Sequence, residues 1–260
     1  SRLAPIQCVF WGHPVTSGVD TLDFYISSDI AEPCAAQEHY TERLVRLGGV
    51  QTCYHRPKLA SSFSRQKVGL PENKTLYMCP QSLFKIHPDM DPYLAKLIKS
   101  DNDGRLVIFE GDPPILTDKL LKRWQPFFDD VFDHVIVLKR TDWNRFLSIL
   151  SLADVILDTW PFGGGNTNYQ AFGFGLPVIT LPGKFIRGLG ANALYQHMGI
   201  KDCIAESPED YVKKALKLGQ NLDFRLKVSS RILKQSGLIF DDSTVIEELI
   251  KFLRTVQFND

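Results

Sequence analysis

From Thr75 onward the chain keeps a single rhythm. Short apolar runs rich in β-branched residues, at 75–79, 105–110, 134–138, 155–157 and 178–181, alternate with amphipathic stretches of helical length at 89–99, 117–128, 142–150, 166–174 and 189–197. Strands separated by helices of that length cannot be joined by hairpins, so they form crossover units and a parallel sheet covered on both faces. The rhythm predicts an α/β, doubly wound parallel fold, with ligands expected at the carboxyl ends of its strands. A brief strand at 203–204 and helices at 208–218, 222–235 and 242–256 close the chain. Ahead of the rhythm lie a strand at 6–11, a turn-rich loop at 12–18, a strand at 24–27, a weakly helical stretch at 35–43 and an apolar run at 44–47. A polar stretch at 48–66, with Gly48-Gly49, Pro57 and Ser61-Ser62, reads as a linker.

Composition narrows the partners. Among 260 residues, 30 Lys and Arg balance 30 Asp and Glu. A neutral chain is not held to nucleic acid or to an anionic membrane by bulk charge, so neither is expected as a partner, although a local cationic pocket remains open. No apolar run reaches the ~18 residues that span a bilayer, and no signal-peptide pattern opens the chain. The five cysteines are scattered without a C-x-x-C pair, and Cys8, Cys79 and Cys203 lie in or beside apolar runs. They read as buried thiols of a reducing compartment, with the cytoplasm as the expected location. The six histidines show no metal-ligand spacing, and no structural metal is expected.

The loop after the 155–157 run is the richest in chemistry: Asp158-Thr159-Trp160-Pro161-Phe162-Gly163-Gly164-Gly165-Asn166-Thr167-Asn168-Tyr169-Gln170. Gly163, Gly164 and Gly165 remove three consecutive Cβ atoms, so a ligand can approach main-chain N–H groups. Asn166 and Thr167 open the next helix, where free N–H groups and the positive end of the dipole suit a phosphate. The loop is neither a P-loop nor a G-x-G-x-x-G fingerprint. Lys85 follows the 75–79 strand and faces the same crevice, either as a point charge for a diphosphate or as a solvated surface lysine. Phe146, one turn into its helix, packs in the core or offers a platform for a base. His13 is a candidate base or ligand contact, or an ordinary loop histidine. The two D-x-D pairs, Asp89-Met90-Asp91 and Asp101-Asn102-Asp103, read as a helix start and a turn rather than as ion ligands.

Taken in order, Gly12-His13-Pro14-Val15-Thr16-Ser17-Gly18, then the segment from Glu38 to Leu47, then 79–88, then 157–183 resemble the TPR-associated O-GlcNAc transferases and SPINDLY-type enzymes of glycosyltransferase family 41, most closely the bacterial-type members. The likeness runs from Ala4 to about Leu253. It implies a GT-B fold of two Rossmann-like lobes, with residues 1–55 as the end of the N-terminal lobe and 65–260 as the C-terminal lobe that binds a nucleotide-sugar. The last helix would pack back toward the N-terminal lobe. It implies a metal-independent, inverting enzyme with no cofactor, whose donor is a UDP-sugar, UDP-GlcNAc by resemblance, and whose acceptor is Ser or Thr of a protein or peptide.

Position by position, the resemblance gives Lys85 to the donor diphosphate and puts Ser82 where eukaryotic relatives have a diphosphate-contacting glutamine. The stretch with Gly164, Gly165, Asn166 and Thr167 matches the phosphate-holding segment, and Phe146 stands where eukaryotic relatives stack a histidine on uracil. Gln170 falls where relatives carry an acid on the ribose hydroxyls. An amide there lacks the charge, and a neutral hydrogen bond is roughly half as strong as a charged one. His13 belongs to the first matching loop and is the candidate for a catalytic contact. The TPR array and most of the N-terminal lobe of the family lie outside these residues, so no complete acceptor site is expected here and this polypeptide alone is expected to be inactive. Two other readings are a non-catalytic nucleotide-binding module and a sibling enzyme that transfers fucose from a GDP-sugar or glucose to asparagine.

Overall fold

The computed structural model describes residues 2–256; Ser1 and the last four residues of the expected 65–260 unit lie outside the described residues. Two parallel sheets form. The first holds β1 (Cys8–Phe10), β2 (Phe24–Ser28) and β3 (Arg43–Leu47), in that order. The second is built from β4 (Thr75–Cys79), β5 (Gly104–Phe109), β6 (Val135–Leu138), β7 (Val155–Leu157) and β8 (Val178–Ile179), in the order β6-β5-β4-β7-β8. The helices are α1 (Asp91–Lys99), α2 (Ile115–Phe128), α3 (Trp143–Leu150), α4 (Asn166–Gly173), α5 (Gly190–His197), α6 (Pro208–Gln220), α7 (Leu222–Gln235) and α8 (Thr244–Thr255).

This strand order sets where chemistry can occur. From β4 the chain steps outward through α1 and α2 to β6, returns through α3 to β7 on the other side of β4, and steps on through α4 to β8. Right-handed crossovers put α1 and α2 on one face and α3 and α4 on the other. The segments leaving β4 and β7, which pair Tyr77 with Val155 and Met78 with Ile156, therefore diverge and open a crevice at their carboxyl ends. Beyond Thr75 both strands are hydrophobic; Leu76 through Cys79 and Val155 through Leu157 are fully buried.

Local chemistry fixes the helix starts. Asp142 accepts from the Arg145 N–H (3.0 Å) at α3, Ser207 from Asp210 N–H (3.1 Å) at α6, and Asn221 from Phe224 N–H (2.9 Å) at α7. As expected of the last helix, α8 returns to the first sheet: Val245 packs with Ile26 and Leu47, and Phe252 meets Phe24 edge-on at 5.2 Å.

Several expectations shift. The stretch 35–43 is not a helix. It holds one 3-10 turn, Ala36–His39, before Arg43 starts β3, because too few apolar positions recur to bury a helical face. The helix expected from residue 89 starts at Asp91, after the 3-10 turn Pro88–Met90. Instead of a strand, 203–204 supplies a single bridge between Thr180 and Ile204. Both D-x-D pairs are tied into the fold: Asp91 accepts from Trp124 Nε1 (2.7 Å) and pairs with Arg123, while Asp101 accepts from Tyr77 Oη (2.7 Å). Cys79 and Cys203 are buried and Cys8 is half-buried.

Candidate functional site

The crevice is organised by one carboxylate. Asp158 directly follows β7, is 2% exposed, and faces back into the glycine loop. Its Oδ1 accepts from the N–H of Gly164 (2.7 Å) and of Thr159 (3.1 Å), and its Oδ2 from Thr180 Oγ1 (2.9 Å). Burial outweighs these hydrogen bonds and the nearby Lys85 charge, lifting the carboxyl to about 6. Asp158 thus folds the loop from beneath and leaves its outer surface free. A Cβ on Gly163 would crowd this carboxylate, and one on Gly164 would come within 3.0 Å of Gln81, Thr167 and Asn168 side-chain atoms. A Cβ on Gly165 would meet nothing within 4 Å. The first two glycines are therefore required by packing, and the third is open.

Gly165 is also the N-cap of α4, and no side chain caps that helix. Its first N–H groups face a cavity of about 360 Å³ lined by Gly163 through Thr167, a site with the polarity an anion requires. Lys85 reaches the same cavity from the β4 side. Its Nζ donates to Gly163 O at 2.9 Å and lies 4.1 Å from the Phe162 ring centroid. Burial draws the lysine pKa down, opposed by the Asp158 charge. Gln81 Nε2 donates to Thr167 Oγ1 (2.7 Å), joining the β4 loop to α4. Trp11, Gly12, Pro14 and Gln51 complete the lining from the first sheet's side, so both sheets contribute.

A second cavity, of about 320 Å³, adjoins the first. Phe109, Trp143 and Phe146 give it an aromatic wall, with Phe146 5.2 Å from Phe109 and 6.2 Å from Trp143. Pro80, Gln81 and Ser82 line both cavities, so Ser82 stands at the junction.

The structure thus brings together Ser82, Lys85, Phe146, Gly164, Gly165, Asn166 and Thr167. It does not bring in two of the candidates. His13 is exposed and does not line the cavity, although Gly12 and Pro14 on either side of it do. The local turn, in which His13 N–H donates to Phe10 O and Val15 N–H to His13 O, carries its side chain out to solvent. Gln170 is 1% exposed and lines neither cavity. It sits a full turn behind the α4 N-terminus, and its Nε2 donates to Tyr54 Oη (2.9 Å), whose ring stacks on Tyr169 at 4.7 Å. Gln170 thus lies outside both cavities, buried behind the start of α4.

Sequence reasoning missed the role of Asp158, whose only signal was an acid ending an apolar strand ahead of glycines, and it missed Gln81 and Arg187. Among the described residues, no group of three or more His, Cys, Asp or Glu is placed to hold a metal ion, and no helix is long and apolar enough to cross a membrane.

Comparison with known proteins agrees on one lineage. The profile of Glycosyl transferase family 41 matches residues 49–247. The chain is 24% identical over 262 residues to the probable UDP-N-acetylglucosamine--peptide N-acetylglucosaminyltransferase SPINDLY of Solanum lycopersicum, covering 98% of this chain and 27% of that protein. It is 23% identical over 244 residues to the UDP-glucose:protein N-beta-glucosyltransferase of Actinobacillus pleuropneumoniae, covering 92% and 38%. A mutant of the Thermobaculum terrenum O-GlcNAc transferase shares the fold with a TM-score of 0.82 at 23% identity, over 96% of this chain and 48% of that one. The chain therefore spans less than half the length of each of these proteins.

Proposed function

The chain belongs to glycosyltransferase family 41, and from that premise we propose that it is the donor-binding part of an inverting, metal-independent glycosyltransferase that moves GlcNAc from UDP-GlcNAc to Ser or Thr of proteins. In this reading residues 1–55 are the end of the N-terminal GT-B lobe and 65–260 the C-terminal lobe. The nucleobase enters the aromatic cavity against Phe146, the diphosphate crosses Ser82 into the glycine cavity, and the sugar lies toward Trp11 and Gln51. A peptide acceptor, an upstream TPR array and the rest of the N-terminal lobe are the partners this reading requires.

The chemistry follows from where positive charge sits. As the acceptor hydroxyl attacks the anomeric carbon, the bond to the β-phosphate oxygen breaks, its electron pair stays on the leaving nucleotide, and the hydroxyl proton passes to a phosphate oxygen of that nucleotide or to water. Lys85 and the uncapped α4 N–H groups stabilise that growing charge without reorganising, the largest catalytic effect this arrangement offers. The observation that carries the reading is the convergence of Lys85 Nζ and the bare start of α4 on one cavity at the switch point between β4 and β7.

The test is calorimetric titration of the 260-residue chain with UDP, GDP, UDP-GlcNAc and UDP-glucose. UDP should bind, and Lys85→Ala should weaken it by about 1.5–3 kcal/mol, the range for a charge-assisted hydrogen bond. Failure of UDP to bind, or unchanged affinity in the variant, would overturn the assignment. The likeness to a protein N-glucosyltransferase favours a second reading, with glucose passing to asparagine; tighter binding of UDP-glucose than of UDP-GlcNAc would select it.

A further inference from the structure

The donor reading uses Lys85 but leaves a second cation on the same cavity unexplained. Arg187 lies on the 3-10 turn Ile186–Gly188 between β8 and α5 and lines the glycine cavity. Its guanidinium carbon sits 4.5 Å from the Phe185 ring centroid, and Phe185 in turn meets the His39 ring edge-on at 4.8 Å. The next residue, Ile186, is buried with Ala31 and Ala193 against Trp11. The turn is therefore wedged between the two sheets and cannot swing freely.

It is also fixed to the glycine loop by backbone. Gly163 N–H donates to Arg187 O at 2.8 Å, and Cβ atoms on Gly188 or Gly190 would come within 3.0 Å of Pro161 O and Gly164 O. Lys85 holds the carbonyl of the same Gly163. Gly163 is thus held by the Lys85 side chain on one side and by the Arg187 backbone on the other. Among the described residues, no Asp or Glu lines this cavity and Arg187 has no carboxylate partner. Two cations flanking a concave surface without a counterion repel each other unless an anion carrying more than one charge lies between them.

We propose that Arg187 is a further catalytic residue, the second cation on the donor diphosphate: Lys85 takes one phosphate and Arg187 the other, with Phe185 as the shelf that holds the guanidinium. The inference rests on the donor reading above. A planar guanidinium suits a phosphate through paired N–H donors, which a lysine cannot supply.

The experiment titrates the full chain with UDP and GDP, each against its monophosphate, in wild type, Lys85→Ala, Arg187→Ala, Arg187→Lys and Phe185→Leu, with melting temperatures as the folding control. Arg187→Ala should weaken the diphosphate nucleotide about ten- to a hundredfold and the monophosphate less than about threefold. Arg187→Lys should recover part of the loss, and Phe185→Leu should weaken the diphosphate by less than Arg187→Ala does. If Lys85→Ala weakens UDP while Arg187→Ala does not, the Arg187 assignment falls and the donor reading stands. If neither variant changes affinity, both fall. Equal loss of mono- and diphosphate would also overturn the assignment, since it places Arg187 away from the second phosphate. Should Arg187→Ala fail to fold, the ratio of di- to monophosphate affinity in Arg187→Lys decides, and an unchanged ratio overturns it.

Discussion

Adjacent glycines should respond to alanine in opposite ways. At Gly164 the new methyl would fall within 3.0 Å of Gln81 Nε2, Thr167 Oγ1 and Asn168 Oδ1. Gln81 and Thr167 are bonded to each other at 2.7 Å, so neither can retreat without breaking that bond. Overpacking costs about 1–3 kcal/mol and the lost hydrogen bond about 1 kcal/mol, for a total of roughly 2–4 kcal/mol. For a chain of this size each kcal/mol lowers the melting temperature by about 2–4 °C, so Gly164→Ala should melt roughly 4–16 °C below wild type. At Gly165 the methyl meets no protein atom within 4 Å. Alanine is about 1 kcal/mol worse than glycine at an N-cap, so Gly165→Ala should melt only about 2–4 °C below wild type, but the methyl occupies the space the proposed phosphate site needs. Gly165→Ala should therefore lose UDP affinity at least about tenfold by calorimetry, the change that about 1.4 kcal/mol produces. Unchanged melting in Gly164→Ala would refute the packing argument, and unchanged UDP binding in Gly165→Ala would refute the cradle.

Three further outcomes are expected. Phe146→Ala should weaken nucleotide binding by ~1–3 kcal/mol with only a modest fall in melting temperature, because the ring is half-buried; a large stability loss with binding intact would make it a core residue. Because burial lifts Asp158 to about 6, the folded chain keeps a proton that the unfolded chain releases near pH 4, so this group's contribution is greatest below ~4 and falls by roughly 3 kcal/mol as pH rises to about 6. Urea unfolding across that window should show a fall in wild type that is missing in Asp158→Asn, and parallel curves would refute the shift. Gln170→Glu should lower the melting temperature, because it buries a carboxylate at a 1%-exposed site; tighter UDP binding in this variant would put the ribose contact at position 170.

The second sheet was legible because its strands are mostly apolar and buried and several of the following helices start on a side-chain cap, as α3, α6 and α7 do, so local pattern and tertiary need agree. Asp142 and the run Val155–Leu157 are where the pattern put them. The stretch 35–43 was not legible, since a 3-10 turn leaves no period to read. Gln170 shows a different limit. Its offset from Asn166 puts it on the same side of α4, but the helix runs away from the cavity. One turn later that side is covered by Tyr54, which comes from the linker more than a hundred residues earlier in the chain.

Asp158 explains why the site's polarity could not be read from the loop alone. The glycines suggest an anion cradle, yet the first charge they meet is negative. That carboxylate satisfies inward N–H groups from Thr159 and Gly164, and so turns the Gly163–Gly164 backbone against the sheet. With these donors turned inward, the outward face is left to the uncapped start of α4, Lys85 and Arg187. All three share one sign, and among the described residues no carboxylate lines their cavity. The acid beneath and the cations above are thus one device. The buried charge fixes the loop's shape, its solvation cost appears as the raised pKa, and the surface it leaves exposed is cationic, the sign that the proposed donor site calls for.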